Sequence, residues 1–209
     1  MFSALLDRMD IAGAAITADA LHAQREHATY LARRGAHYLL IVKRNQPGLH
    51  AQLASLPWRD VLVAHQARER GHGRTERRTL KVTAVARGLA FPHAARAIQI
   101  TRRRKVKGKW SREICYAVTS LTLTQASHAQ LAAIIRGHWG IEDRLHWVRD
   151  NDFDEDRSQV RTAAGPRIMA SLRNLVITIL RLTGAASIAA ALRYHARRPA
   201  RPLNTIMKC

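Results

Sequence analysis

The sequence predicts a mixed α/β chain, and three patterns carry that prediction. Apolar runs at 14–18 and 37–42 flank an amphipathic stretch at 20–34, which reads as strand, helix, strand. Alternating segments at 80–85, 97–101 and 114–118 read as antiparallel strands. From Ser127 onward a long apolar arc reads as a helix with one face turned inward.

Taken in order, residues 1–12 read as a short helix stopped by Gly13. The strand–helix–strand unit that follows calls for two parallel strands joined by a right-handed crossover, with the helix closed by Gly35. Asp19 ends the first strand, where open α/β sheets place ligand groups, and it equally suits the N-cap of the next helix. Pro47 fits the first turn of a short helix ending near Leu56. Residues 71–77, G-H-G-R-T-E-R, read as a glycine-flanked loop bearing His72, Arg74, Glu76 and Arg77. Such a loop can bring backbone close to a phosphate or serve as an ordinary solvated hairpin entry. Lys107-Gly108-Lys109 reads as a hairpin tip.

Ser127 and Gln130 form a capping-box pattern, so the organising helix starts there. Leu131, Ile134, Ile135, Trp139, Ile141, Leu145 and Val148 share its inward arc, and Glu142 sits in the middle of them. His138, His146 and Arg149 lie on the same stripe. A carboxylate on such a face must be protonated, paired with a cation or bound to a metal, so Glu142 is either a core ion-pair partner or a functional acid. Gly137 and Gly140 each cost a helix about 1 kcal/mol relative to alanine, which predicts a close approach at that turn. Pro166 opens a further amphipathic helix stopped by Gly184, and Ser187 to Arg201 reads as a basic helix running into a mobile tail available to DNA backbone.

Thirty-five Lys and Arg against fifteen Asp and Glu give 209 residues a formal charge of +20. A polyanion is the common partner for such a surface, and nucleic acid comes first. The acids concentrate between Glu142 and Asp156, and one acidic cluster in a basic chain suits metal-dependent chemistry on phosphates. Cys115 and Cys209 have no metal spacing and fit a reducing compartment. No apolar run reaches membrane-span length and the charges at Asp7 and Arg8 come too early for a signal peptide, so the expected location is cytoplasmic.

Four stretches resemble insertion-sequence transposases of the DDE class, in the branch of the H-repeat-associated proteins. They are I-T-A-D-A-L-H-A-Q-R at 16–25, Y-L-L-I-V-K-R-N-Q-P at 38–47, G-H-G-R-T-E-R-R at 71–78, and R-G-H-W-G-I-E-D-R-L-H-W-V-R-D at 136–150 followed by F-D-E-D-R. The resemblance implies a ribonuclease-H-like fold with a β-rich insertion before the acid-bearing helix. It divides the chain into a βαβ part at 1–56, an insertion with return strand at 57–123, a helical part at 124–185 and a basic tail at 186–209. It implies three carboxylates holding two Mg²⁺ or Mn²⁺ ions for in-line attack at a DNA phosphodiester, with Asp19 matching the second acid and Glu142 the third. DNA contacts then fall to His72, Arg74, Glu76, Arg77, Arg136, His138 and Arg149. The implied partners are double-stranded DNA with transposon terminal inverted repeats and a second copy in a homodimer on DNA, with no membrane.

Two departures from the family pattern matter. Its first acid lies on an earlier strand in an Asp-Gly-Lys context that this chain lacks, so the expectation is a truncated carboxyl-terminal portion, inactive alone. A signature of related branches puts Tyr, Arg and Lys where this chain has Ile135, His138 and Arg149, and only Arg149 keeps its charge class. Two other readings compete: a non-catalytic DNA-binding remnant whose carboxylates merely pair with arginines, and a zinc hydrolase built on His138, Glu142 and His146.

Overall fold

β1 (Ala15–Ala18) and β2 (His37–Val42) run parallel, with Ala18 opposite Leu40, and α2 (Arg25–Arg33) connects them. This is the unit expected from the apolar runs. β2 is buried along nearly its whole length, which is why H-Y-L-L-I-V shows no polar alternation. Gly35 takes φ +67 just after the helix, the left-handed stop that its position in the sequence called for. The computed structural model describes residues 2–71, 74–85, 89–141 and 147–207.

Four long strands extend the sheet: β3 (Val63–Gly71), β4 (Arg74–Ala84), β5 (Arg96–Val106) and β6 (Lys109–Thr119). The order is β1-β2-β6-β5-β4-β3, all antiparallel after the first pair. β5 and β6 meet at Lys107 and Gly108, both at positive φ, a two-residue turn whose twist matches that of the strands.

Registers assign the side chains to two faces. On one, Tyr38, Leu40, Val42, Ala97, Tyr116 and Val118 pack with Leu6 of α1 (Phe2–Leu6), Ala28 and Leu31 of α2, and Leu53 of α3 (Pro47–Ala54). Emptying a fully buried site such as Leu40 to alanine would cost about 2–5 kcal/mol. The other face holds Leu39, Ile41, Ile98, Ile100 and Ala117, all buried. α4 (His128–Ile141) lies alongside this second face, where Arg136 pairs with Glu69 of β3. The capping box forms: the Ser127 amide donates to Gln130 Oε1 at 2.8 Å, and the Gln130 amide donates to Ser127 Oγ at 3.3 Å.

The chain divides into two compact units, residues 1–138 and 139–209. The second contains α5 (Trp147–Asp152), α6 (Gly165–Leu182), α7 (Ile188–Ala196) and α8 (Ala200–Ile206). Val148, Ile177, Leu180 and Ile188 form a small core there. Ser187 caps α7 by accepting the Ala190 amide, so the basic tail continues as two helices.

Three expectations are corrected. Residues 74–77 belong to the β4 ladder and not to a loop, in register with β3 and β5 and with Glu76 paired to arginines of β4 and β5. The first helix ends at Leu6 rather than near residue 12, before Gly13 at φ +72. Around Gly137 and Gly140 nothing described comes within 4 Å of a Cβ, so no close approach from the described protein explains them.

Candidate functional site

Asp19 stands at the carboxyl end of β1, and Lys43 directly follows β2, so two parallel strands deliver both side chains to one end of the sheet. Lys43 Nζ lies 3.1 Å from Asp19 Oδ1, and both side chains are about half exposed. Burial alone would raise the Asp19 carboxyl, but the Ala20 amide, Lys43 and the charge of His138 outweigh that, holding it below its ordinary value. Asp19 is therefore ionised at neutral pH. Asn45 Nδ2 donates to the Ala20 carbonyl at 2.9 Å and ties the loop after β2 to the turn after Asp19.

His138 is the last residue of the first unit and is buried, with Leu131 and Ile135, at the i, i+4, i+7 spacing of one helix face. His138 is among the charges that lower the Asp19 carboxyl, so the end of α4 lies within electrostatic reach of the end of β1. Buried Arg96 secures the approach to this helix. Its Nε donates to the Leu121 carbonyl at 2.7 Å and its Nη2 to the Ala126 carbonyl at 2.8 Å, satisfying backbone acceptors just ahead of Ser127.

The remaining expected site residues scatter. Glu142 and His72 lie outside the described residues, as does His146 of the zinc alternative. Arg74 is in β4, opposite Val106. Glu76 is buried, and it accepts from Arg102 at 2.8 and 3.0 Å and lies 2.5 Å from Arg78 Nη2 and 3.4 Å from Arg104 Nε. Burial pushes this carboxyl up, but the hydrogen bonds of Arg102 and the charges of Arg78, Arg102 and Arg104 bring it below its ordinary value. Little of its surface is exposed, and in this structure it gathers three arginines. Arg77, on the opposite face, is half-buried, with its guanidinium 5.8 Å from the Trp110 ring centre.

Arg136 is engaged by Glu69. Arg149, in the second unit, donates from Nε and Nη2 to the two carboxylate oxygens of Glu155, and Arg173 Nη1 lies 3.7 Å from the same group. A bidentate pair of this kind fixes geometry as well as charge. Arg149 thus holds its own unit together, and the phosphate contact expected of it would have to compete with Glu155.

The sequence reading missed Lys43 and the cations gathered about Trp110. Arg103 and Lys105 approach its ring at 5.2 and 5.9 Å. The available signal was basic residues repeating at i, i+2 on either side of the Lys107-Gly108 turn, the period of one strand face. Among the described residues no group of three His, Cys, Asp or Glu could hold a metal, and no described helix is long and apolar enough to cross a membrane.

Comparison with known proteins places the chain in a family. The chain is 28% identical over 190 residues to "H repeat-associated putative transposase YhhI" of Escherichia coli (strain K12), covering 84% of this chain and 50% of that protein. It is 28% identical over 192 residues to "Putative transposase YncI" of Escherichia coli O157:H7, covering 85% of this chain and 48% of that one. "Putative protein YbfL" of strain K12 matches at 28% over 190 residues, with 84% and 50% covered. The chain therefore spans about half the length of these relatives. A family profile described as the transposase DDE domain matches residues 1–179, taking in β1, the whole sheet and α4, and the chain belongs to that family.

Proposed function

We propose that this chain is part of a transposase that cuts and joins double-stranded DNA at transposon terminal inverted repeats, with Asp19 and Glu142 as carboxylate ligands of Mg²⁺ or Mn²⁺. What carries the reading is the transposase DDE domain match over residues 1–179 together with Asp19, an ionised and half-exposed carboxylate at the carboxyl end of β1. Members of the family generally use a divalent metal, and Asp19 suits a hard cation as an ionised, half-exposed oxygen donor. A bound pair of ions would supply charge neutralisation at the attacking and leaving oxygens of a phosphodiester. Lys43 and His138 do part of that work in the chain itself, since they offset the charge of Asp19 and favour an anionic phosphate beside it. A ribonuclease-H-like core with β3–β6 as its insertion is supported by the parallel β1–β2 pair and by the antiparallel extension that precedes α4.

A second reading is favoured by Lys43 and His138 already compensating Asp19: a basic DNA binder whose carboxylates only pair with cations. Calorimetry with Mn²⁺ separates the two. The transposase reading expects Asp19→Asn and Glu142→Gln each to weaken metal binding at least tenfold. Unchanged affinity in both variants removes the metal site and leaves the DNA binder.

A further inference from the structure

The registers of β3–β6 line up Arg68, Arg77, Arg103 and Arg112 directly opposite one another, a row of four arginines across four strands. The adjacent row on the same face is Arg70, Thr75, Lys105 and Trp110. Like charges directly opposite in a sheet oppose folding. The reverse face shows what the chain does where it neutralises its arginines, with buried Glu76 set among Arg78, Arg102 and Arg104. Around the row of four no such carboxylate stands among the described residues. Among the described residues none of Arg68, Arg70, Arg77, Arg103, Lys105 and Arg112 makes an ion pair. The crowding is felt electrically, since the charges of Arg70 and Arg77 push the Arg68 guanidinium below its ordinary value. What the face has instead is Trp110, whose ring centre lies 5.2–5.9 Å from the cationic groups of Arg77, Arg103 and Lys105.

Position adds direction. The last β2–β6 pair is Val42 with Tyr116, and residues 109–115 run on past the end of the sheet where Asp19 and Lys43 sit. At roughly 3.4 Å per residue, Arg112 and Trp110 project about 14 and 20 Å beyond that end. Duplex DNA carries one charge per roughly 1.7 Å of axis, so about twelve phosphate charges span such a length.

We propose that this ribbon face, with Arg68, Arg70, Arg77, Arg103, Lys105 and Arg112 arranged about Trp110, is a docking surface for the phosphate backbone of duplex DNA flanking the Asp19 end of the sheet. It rests on the reading of the chain as a DNA-processing protein. It assigns the contacts to a sheet face rather than to the glycine-flanked hairpin tip. An acidic protein or membrane would not need a rigid array in register, whereas a regular polyanion matches one.

The test is fluorescence anisotropy of a labelled duplex of arbitrary sequence, in EDTA, across a range of NaCl. Combining Arg103→Gln, Lys105→Gln and Arg112→Gln should lower the slope of log K against log salt by about 2.7 and weaken binding roughly 100-fold near ~0.15 M salt. A control removes the same charge from exposed positions elsewhere in the unit, Arg8→Gln, Arg33→Gln and Arg59→Gln, and should change the slope by less than about one. The charge-keeping variant with lysine at 103 and 112 should bind close to wild type, and circular dichroism should show all variants folded. An unchanged slope in the ribbon variant, or an equal loss in the control, overturns the docking surface alone. Wild-type protein that binds no duplex even at low salt overturns the DNA-processing reading itself.

Discussion

Lys43 Nζ and Asp19 Oδ1 are 3.1 Å apart at the carboxyl ends of two parallel strands, so the Asp19 carboxylate has a resident cation. With both groups half in water, the pair adds little stability, about 0–1 kcal/mol. Its consequence is electrostatic, because Lys43 helps to hold the Asp19 carboxyl low.

Replacing Lys43 by alanine should raise the Asp19 pKa toward its ordinary value and leave the melting temperature nearly unchanged. Carboxyl carbon shifts followed by NMR against pH measure the first effect. The same variant should bind Mn²⁺ more tightly at Asp19, since a competing cation has gone, and weaker binding in calorimetry would show that Lys43 supports the site instead.

Glu76→Gln should destabilise the chain by about 2–3 kcal/mol in denaturant titrations, because three arginines lose the buried charge that gathers them. The carboxyl is held below its ordinary value when folded, so its contribution is complete above the unfolded pKa of about 4.3 and fades as pH falls through the lower folded value. The difference between wild type and Glu76→Gln should accordingly be constant near neutrality and shrink in acid.

Arg149→Lys retains the charge but loses the two-pronged grip on Glu155, and should cost about 1–2 kcal/mol. If Arg149 served only as a phosphate contact, the lysine variant would melt like wild type and bind DNA comparably.

Trp110→Ala leaves every cation of the ribbon face in place but removes the ring that lies beside three of them. Each such contact is worth about 0.5–1 kcal/mol at an exposed site, so duplex affinity should fall about three- to tenfold with the salt slope preserved. Anisotropy titrations at several salt concentrations read both quantities.

The two apolar runs and the stops at Gly35 and Gly184 made the parallel strands and two helix ends legible from local chemistry. Each glycine takes the positive φ expected of a stop. Ser127 and Gln130 likewise announced their helix correctly, since a capping box involves neighbours in the chain. The stretch R-T-E-R-R was misread as a loop, because a strand made of charges looks solvated until its partners are known. Glu76 is buried only by virtue of arginines up to twenty-eight positions away.

Local composition alone settled the strands of the βαβ unit, the start of the helix at Ser127 and the net positive charge, none of which depends on how distant residues meet. Which carboxylates stay free and which are taken by arginines was decided by folding. So were the meeting of Asp19 with Lys43, within electrostatic reach of His138, and the gathering of four arginines into one row. Charge acts through space over a few ångströms, and only the registers of the strands bring such distant residues that close.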